Sequence, residues 1–378
     1  MSWQFFKKSL TQNTSFSQVM DGYLVHFFVP EYDLHGLPKH ITFVLDTSGS
    51  MSGVKIEQLK DAMDAILNDL KRTDYLSIVT FDDTYVFWES KAQSAVDKVF
   101  RLDSGRMDYG LFGLDSAAQY PIYKARDYVV KEARNYINNI KPNGGTNLND
   151  ALREAVKLSN YGIEKFDFDA PNTEQILPMI VFLTDGEPTS GEVDKYIIKR
   201  NVKSINTFAI PIYGLAFGNS ADFDLIKDIS SENGAFAKKI FEASDATVQL
   251  KNFYKEISTP LLKDVTFNYI SDTNLETAQT CLPNAMFYKG NEFVSVVKLE
   301  DGGLPEKLEV RGFEGTRSYY DVIYPCNDPR SPQKIIPLID GSQDHVRTMA
   351  CIPSSRPTTL NTGSGHEPNL IIFAFVKI

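Results

Sequence analysis

The segment Phe43-Val44-Leu45-Asp46-Thr47-Ser48-Gly49-Ser50-Met51-Ser52-Gly53 limits what this chain can fold into more than any other. Ile41 to Leu45 is a continuous apolar run, the pattern of a strand buried on both faces of a parallel sheet. It ends abruptly in oxygen. Asp46, Ser48 and Ser50 alternate in a turn loosened by Gly49, so their side chains can converge at the carboxyl end of the strand. Open α/β sheets place their sites there.

The same pattern recurs downstream. Ile56, Leu59, Met63, Ile66, Leu67 and Leu70 fall on one stripe of a helix that follows the turn. Tyr75 to Phe81 and Tyr85 to Trp88 read as strands joined by the tight acidic turn Asp82-Asp83-Thr84. A helix is expected from Gln93 to Phe100, and another from Arg126 to Ile140. In Lys141-Pro142-Asn143-Gly144-Gly145-Thr146-Asn147 the glycines leave Thr146 at the mouth of a helix carrying Leu148, Leu152, Ala155 and Leu158. Residues 160 to 175 read as an acidic loop. A second buried strand, Ile176 to Leu183, closes in Thr184-Asp185-Gly186-Glu187-Pro188, which again puts a carboxylate at a strand's carboxyl end.

Strands and helices then alternate to about Ile257, the signature of a doubly wound, mostly parallel sheet. Beyond Pro260 the helical period vanishes. Val265 to Ile270, Phe293 to Leu299, Lys307 to Val310, Tyr319 to Tyr324 and Leu370 to Val376 read as strands of a β-rich second domain. Residues 1 to 20 read as polar and irregular, and Gly22 to Pro30 as a strand. The expected organisation is an N-terminal segment, 1–39, whose strand joins the β domain; an α/β domain, 40–258; and a β-rich, sandwich-like region, 259–378.

At 378 residues and 42% apolar composition the chain has material for two cores. Its formal charge of -10 speaks against a nucleic-acid partner, which calls for a basic surface. Cys281, Cys326 and Cys351 lack the spacing of zinc ligands; one disulfide with a leftover thiol and a fully reduced chain both fit. The residues after Met1 turn polar too soon for a signal peptide, and the longest apolar run, Leu370 to Val376, is too short for a membrane span.

The donors at strand ends and adjoining turns are Asp46, Ser48, Ser50, Thr146 and Asp185. With two carboxylates, three hydroxyls and no His or Cys, they suit a hard cation: Mg²⁺ first, with Mn²⁺ or Ca²⁺ as alternatives. Mainly neutral ligands keep such an ion electrophilic, so a carboxylate from another molecule can complete its shell. The bland alternative is that Ser48 and Ser50 cap the following helix and Asp185 caps its own turn.

Asp46-Thr47-Ser48-Gly49-Ser50, Thr146 and Leu183-Thr184-Asp185-Gly186 resemble the metal-ion-dependent adhesion site of von Willebrand factor type A domains. The resemblance implies a Rossmann-like sheet with Mg²⁺ at its top, bound by those five residues and by an acidic residue of a protein ligand. Residues 19–30, Ser52-Gly53-Val54-Lys55-Ile56-Glu57-Gln58, Gly218-Asn219-Ser220-Ala221-Asp222-Phe223, Asp245 to Tyr254 and Pro260 to Val265 are similar to inter-alpha-trypsin inhibitor heavy chains. That likeness implies a secreted, non-enzymatic protein associated with hyaluronan-rich matrix. The family's carboxyl-terminal Asp-Pro-His-Phe motif is not matched: Asp328-Pro329-Arg330 shares two letters only, so covalent transfer to hyaluronan is not expected of this chain. Two rival readings are a metal-dependent hydrolase, with Asp82, Asp83 or Glu187 as its base, and a protein like the accessory subunit of voltage-gated calcium channels.

Overall fold

The strand Lys39–Asp46 is buried at every position, so both of its faces are covered, as the run Ile41–Leu45, apolar but for Thr42, requires. It belongs to a computed structural model that describes residues 16–20, 23–28, 34–91, 120–169, 176–242, 245–270, 278–281, 286–298, 307–314, 317–324, 346–348, 350–351 and 372–377. The helix expected from Gln93 to Phe100 lies outside these residues. The chain divides into two units, Leu37–Ser258 and Met1–Gly36 with Thr259–Ile378.

The elements are, in chain order, β1 (Phe16–Met20), β2 (Tyr23–Phe28), β3 (Lys39–Asp46), α1 (Val54–Asn68), β4 (Tyr75–Phe81), β5 (Tyr85–Phe87), β6 (Tyr123–Lys124), α2 (Asp127–Asn138) and α3 (Leu148–Asp169). They continue with β7 (Leu177–Thr184), α4 (Lys195–Ile205), β8 (Ile212–Phe217), α5 (Phe223–Glu232), β9 (Ala237–Ile240) and α6 (Ala246–Ile257). In Leu37–Ser258 the strand order is β5-β4-β3-β7-β8-β9, with β6 also on β4. The ladders from β4 to β9 through β3, β7 and β8 are parallel, while β5 and β6 are antiparallel additions. The parallel strands, numbered by their own sequence, thus run 2-1-3-4-5. The order reverses between β3 and β7, the place where sheets of this kind take their ligands, at the strands' carboxyl ends. This is the doubly wound α/β architecture expected from the sequence.

Each helix buries one stripe. In α1 the buried residues are Ile56, Leu59, Ala62, Met63, Ile66 and Leu67; Leu70 lies past the helix end. On α3, Leu148, Leu152, Ala155 and Val156 join Val44, Val79 and Phe182 in the core. Asp194 and Asp222 cap α4 and α5 through the backbone N–H groups of Ile197 and Leu225.

Two readings need correction. Residues 160 to 169 are not a loop: α3 runs on to Asp169. Its charges obscured the fact that Ile163 extends the stripe of Leu152, Val156 and Ser159 and packs against the core. Phe16–Met20 is a strand rather than an irregular segment, paired antiparallel with β2 from Phe16↔Phe27 to Met20↔Tyr23. Its own sequence alternates weakly, and the pairing to β2 supplies the backbone partners that define it.

In the other unit the later strands are β10 (Pro260–Ile270), β11 (Ala278–Cys281), β12 (Phe287–Tyr288), β13 (Asn291–Lys298), β14 (Lys307–Glu314), β15 (Arg317–Tyr324), β16 (Val346–Thr348), β17 (Ala350–Cys351) and β18 (Ile372–Lys377). They form two sheets, ordered β17-β1-β2-β13-β18 and β11-β10-β14-β15-β16, with β12 also on β10. The register Phe293↔Phe28 to Lys298↔Tyr23 joins segments far apart in the chain. Buried Phe28 of the first sheet meets Phe267 and Phe287 of the second edge to face, with ring centroids 5.6 and 6.0 Å apart. Cys326 and the side chains of Cys281 and Cys351 lie outside the described residues.

Candidate functional site

Asp46 ends β3 and Asp185 follows β7, so the switch point between these strands is flanked by two fully buried carboxylates. Asp46 is held by an amide and a hydroxyl donor, Asp185 by a hydroxyl and the Lys55 ammonium. Asp46 Oδ1 accepts from the Ser48 backbone N–H at 2.8 Å, and Asp46 Oδ2 accepts a short bond from the Thr184 hydroxyl. Ser50 Oγ donates to Asp185 Oδ1 at 2.7 Å and lies 2.9 Å from Ser48 Oγ. One connected set of oxygens therefore runs from the first turn to the second.

Thr146 reaches the same place from a third turn. Gly49 N–H donates to Gly144 O at 3.0 Å, and Asn143 N–H to Thr47 O at 2.9 Å, which ties the 143–146 turn to the end of β3. A Cβ on Gly186 would lie 3.6 Å from both Ser50 Oγ and Thr146 Oγ1, so these two hydroxyls share one neighbourhood. All five side chains singled out from the sequence are thus brought together.

The capping alternative does not describe these residues. Ser48 makes no side-chain cap bond, and the N-cap of α1 is Gly53, which has no side chain to offer. Asp185 bonds to Ser50 and Lys55 rather than to its own turn. Thr146 precedes the residue that caps α3: Asn147 Oδ1 accepts from Asp150 N–H at 3.3 Å. The residues most often found at caps are here turned toward one another.

Burial pushes the Asp46 carboxyl up to about 6, and the charge of Asp185 adds to this while bonds from Ser48 and Thr184 oppose it. The sequence reading did not single out Lys55. Its Nζ stands 2.6 Å from Asp185 Oδ2 and 3.4 Å from Glu242 Oε1. Burial works against its charge, but the bond and field of Asp185, with help from Glu242, raise its pKa. Its signal was positional: a lysine in the first turn of a helix sits where the backbone favours negative charge. Thr184 was legible only as a neighbour of Asp185, because its partner is remote in sequence.

Among the described residues no group of three or more His, Cys, Asp or Glu is set to hold a metal ion. The donor set here has two carboxylates and three hydroxyls, all of them hard oxygen. Of the carboxylates named as candidate bases, Asp82 Oδ1 accepts from Thr84 N–H, Asp83 Oδ1 accepts from Gly145 N–H, and Glu187 lies 3.7 Å from Lys195. No helix among the described residues is long and apolar enough to cross a membrane.

Residues 40–256 match the family model of the von Willebrand factor type A domain. Among curated proteins the chain is 33% identical over 296 residues to inter-alpha-trypsin inhibitor heavy chain H3 of Rattus norvegicus, covering 78% of this chain and 29% of that one. Heavy chain H2 of Sus scrofa is 34% identical over 292 residues, covering 77% and 27%, and heavy chain H6 of Homo sapiens is 34% identical over 288 residues, covering 75% and 19%. The chain thus spans less than a third of the length of these relatives. A solved structure of von Willebrand factor type A from Catenulispora acidiphila superposes with a TM-score of 0.54 at 11% identity, over 81% of this chain and 70% of that one, which speaks for the fold alone. With its 2-1-3-4-5 sheet and its oxygen-lined switch point, the chain belongs to the von Willebrand factor type A domain family.

Proposed function

We propose that this chain is a non-enzymatic adhesion or extracellular-matrix binding module that recognises a carboxylate of its partner through a bound divalent cation, Mg²⁺ in the first instance. The observation that carries the reading is the connected oxygen set Ser48 Oγ, Ser50 Oγ and Asp185 Oδ1 beside buried Asp46, none of it used for capping. That donor chemistry fits a hard cation and offers nothing to zinc or copper. Ser48, Ser50 and Thr146 would offer their hydroxyls to the ion, and Asp46 and Asp185 their charge. When bound, the ion supplies an electrophile for an incoming carboxylate oxygen.

Likeness to the inter-alpha-trypsin inhibitor heavy chains supports secretion and association with hyaluronan-rich matrix. A partner carboxylate can then come from an acidic side chain of a protein ligand. Because the chain spans only part of those relatives, these roles are proposed for it rather than carried over.

The reading is tested by Mg²⁺ titration followed by thermal unfolding. A ligand bound only by the native state raises its stability, by about 2.7 kcal/mol at a hundredfold excess over Kd. The parent is expected to show this gain, and Asp46→Ala and Asp185→Ala to lose it while still folding. If both variants keep the gain, or the parent shows none, the reading fails.

A further inference from the structure

We propose that Lys55 is a built-in counter-cation of this site: it weakens the hold on a divalent ion and keeps the loaded site positive toward an incoming carboxylate. The inference rests on the metal-binding reading above and concerns how that same site is regulated.

Lys55 lies in the first turn of α1, directly after the Asp46–Ser50 turn. Side chains on a helix lean toward its N-terminus, so this one leans back toward the site. Its ammonium takes Asp185 Oδ2 at 2.6 Å, while Asp185 Oδ1 is left to Ser50. One carboxylate is thus divided between a fixed positive charge on one side and the cluster of hydroxyls on the other. The Lys55 side chain is 15% exposed and Asp185 is fully buried, so the pair is less screened than a surface bridge. Glu242, 43% exposed and 3.4 Å away, holds the lysine more loosely from the rim.

The placement is unfavourable for the helix alone, because the N-terminal turn carries the positive end of the backbone dipole. A lysine there gains from Asp185 what it loses to the helix. Its effect on binding follows from the charges. Counted by formal charge, and with Glu242 left to solvent at the rim, Asp46, Asp185 and Lys55 give the pocket net minus one. A divalent ion takes it to plus one, and one carboxylate from a partner brings it to neutrality. Without Lys55 the loaded pocket is already neutral, and the partner's carboxylate makes it negative. Lys55 therefore exchanges cation affinity for carboxylate affinity.

Lys55→Gln tests this, because the amide keeps a hydrogen bond to Asp185 while dropping the charge, and Lys55→Arg serves as the charged control. Mn²⁺ is titrated calorimetrically into the full chain, and acetate is then added to the Mn²⁺-loaded protein while water-proton relaxation is followed. Lys55→Gln is expected to bind Mn²⁺ about tenfold more tightly than the parent and to take up acetate more weakly, whereas Lys55→Arg matches the parent in both. Equal or weaker Mn²⁺ binding by Lys55→Gln, with the parent binding, overturns the role of Lys55 and leaves the metal site standing. Acetate uptake unchanged in Lys55→Gln overturns the carboxylate half. Absence of Mn²⁺ binding by the parent and both variants overturns both readings together.

Discussion

A buried ionisable side chain reports its surroundings through pH, and His40 does so most clearly. It lies fully buried in β3, 3.0 Å from Ser77 Oγ, and burial pushes its pKa from 6.5 down to about 3. The unfolded state therefore takes up the proton first as pH falls. The stabilisation is complete above 6.5 and is lost as pH drops toward about 3. The full span corresponds to at most about 5 kcal/mol. Urea unfolding of the parent and His40→Gln across this range is expected to show the parent losing stability relative to the variant as pH falls; parallel curves would refute this. Asp46 and Asp185 were legible in the sequence because each ends or follows an apolar run. The role of Lys55 was not, since its partners Asp185 and Glu242 are more than a hundred residues away. A side chain's identity names its chemistry; its partner depends on which strands lie side by side.

Turns are the elements that assemble the site, and the one at 143–146 illustrates how. Gly144 has φ of 72°, and a Cβ there would stand 2.5 Å from Asp83 Oδ2. Asp83 Oδ1 meanwhile accepts from Gly145 N–H, and Gly144 O accepts from Gly49 N–H. Gly144→Ala is expected to cost roughly 2 kcal/mol through left-handed strain and a displaced Asp83, and to reduce the Mg²⁺-induced rise in unfolding temperature; a variant with an unchanged Mg²⁺ response would show that this turn does not position Thr146. The glycines could be read from sequence as a turn. Their contact with the Asp46–Ser50 turn could not, because backbone hydrogen bonds between loops leave no periodic trace. The same limit applies to β1, whose weak alternation became a strand through its partners β2 and β17. At 160–169 the error was different: the acidic letters of this stretch, exposed Glu164 among them, hid an apolar stripe that Ile163 continues.

For the whole molecule, the arrangement of strands is the controlling fact. The unit Leu37–Ser258 carries its own core from β3, β4, β7, β8 and the helices α3, α4 and α5. A fragment spanning residues 37–258 is expected to unfold in one cooperative step by circular dichroism and to keep the Mg²⁺ response of the full chain; a fragment that fails to fold or loses the response would tie the site to the rest of the chain. What the sequence alone determined was local: which runs are buried, which residues end them, and which oxygens stand there. These follow from the apolar periodicity that matches each element to its covered faces. Only the tertiary structure decided that β3 and β7 are neighbours, that Thr184 beside Asp185 donates to Asp46 while Ser50 beside Asp46 donates to Asp185, and that Lys55 stands between Asp185 and Glu242. Strand order is set by burying many helix and sheet faces at once, and no single segment contains that information.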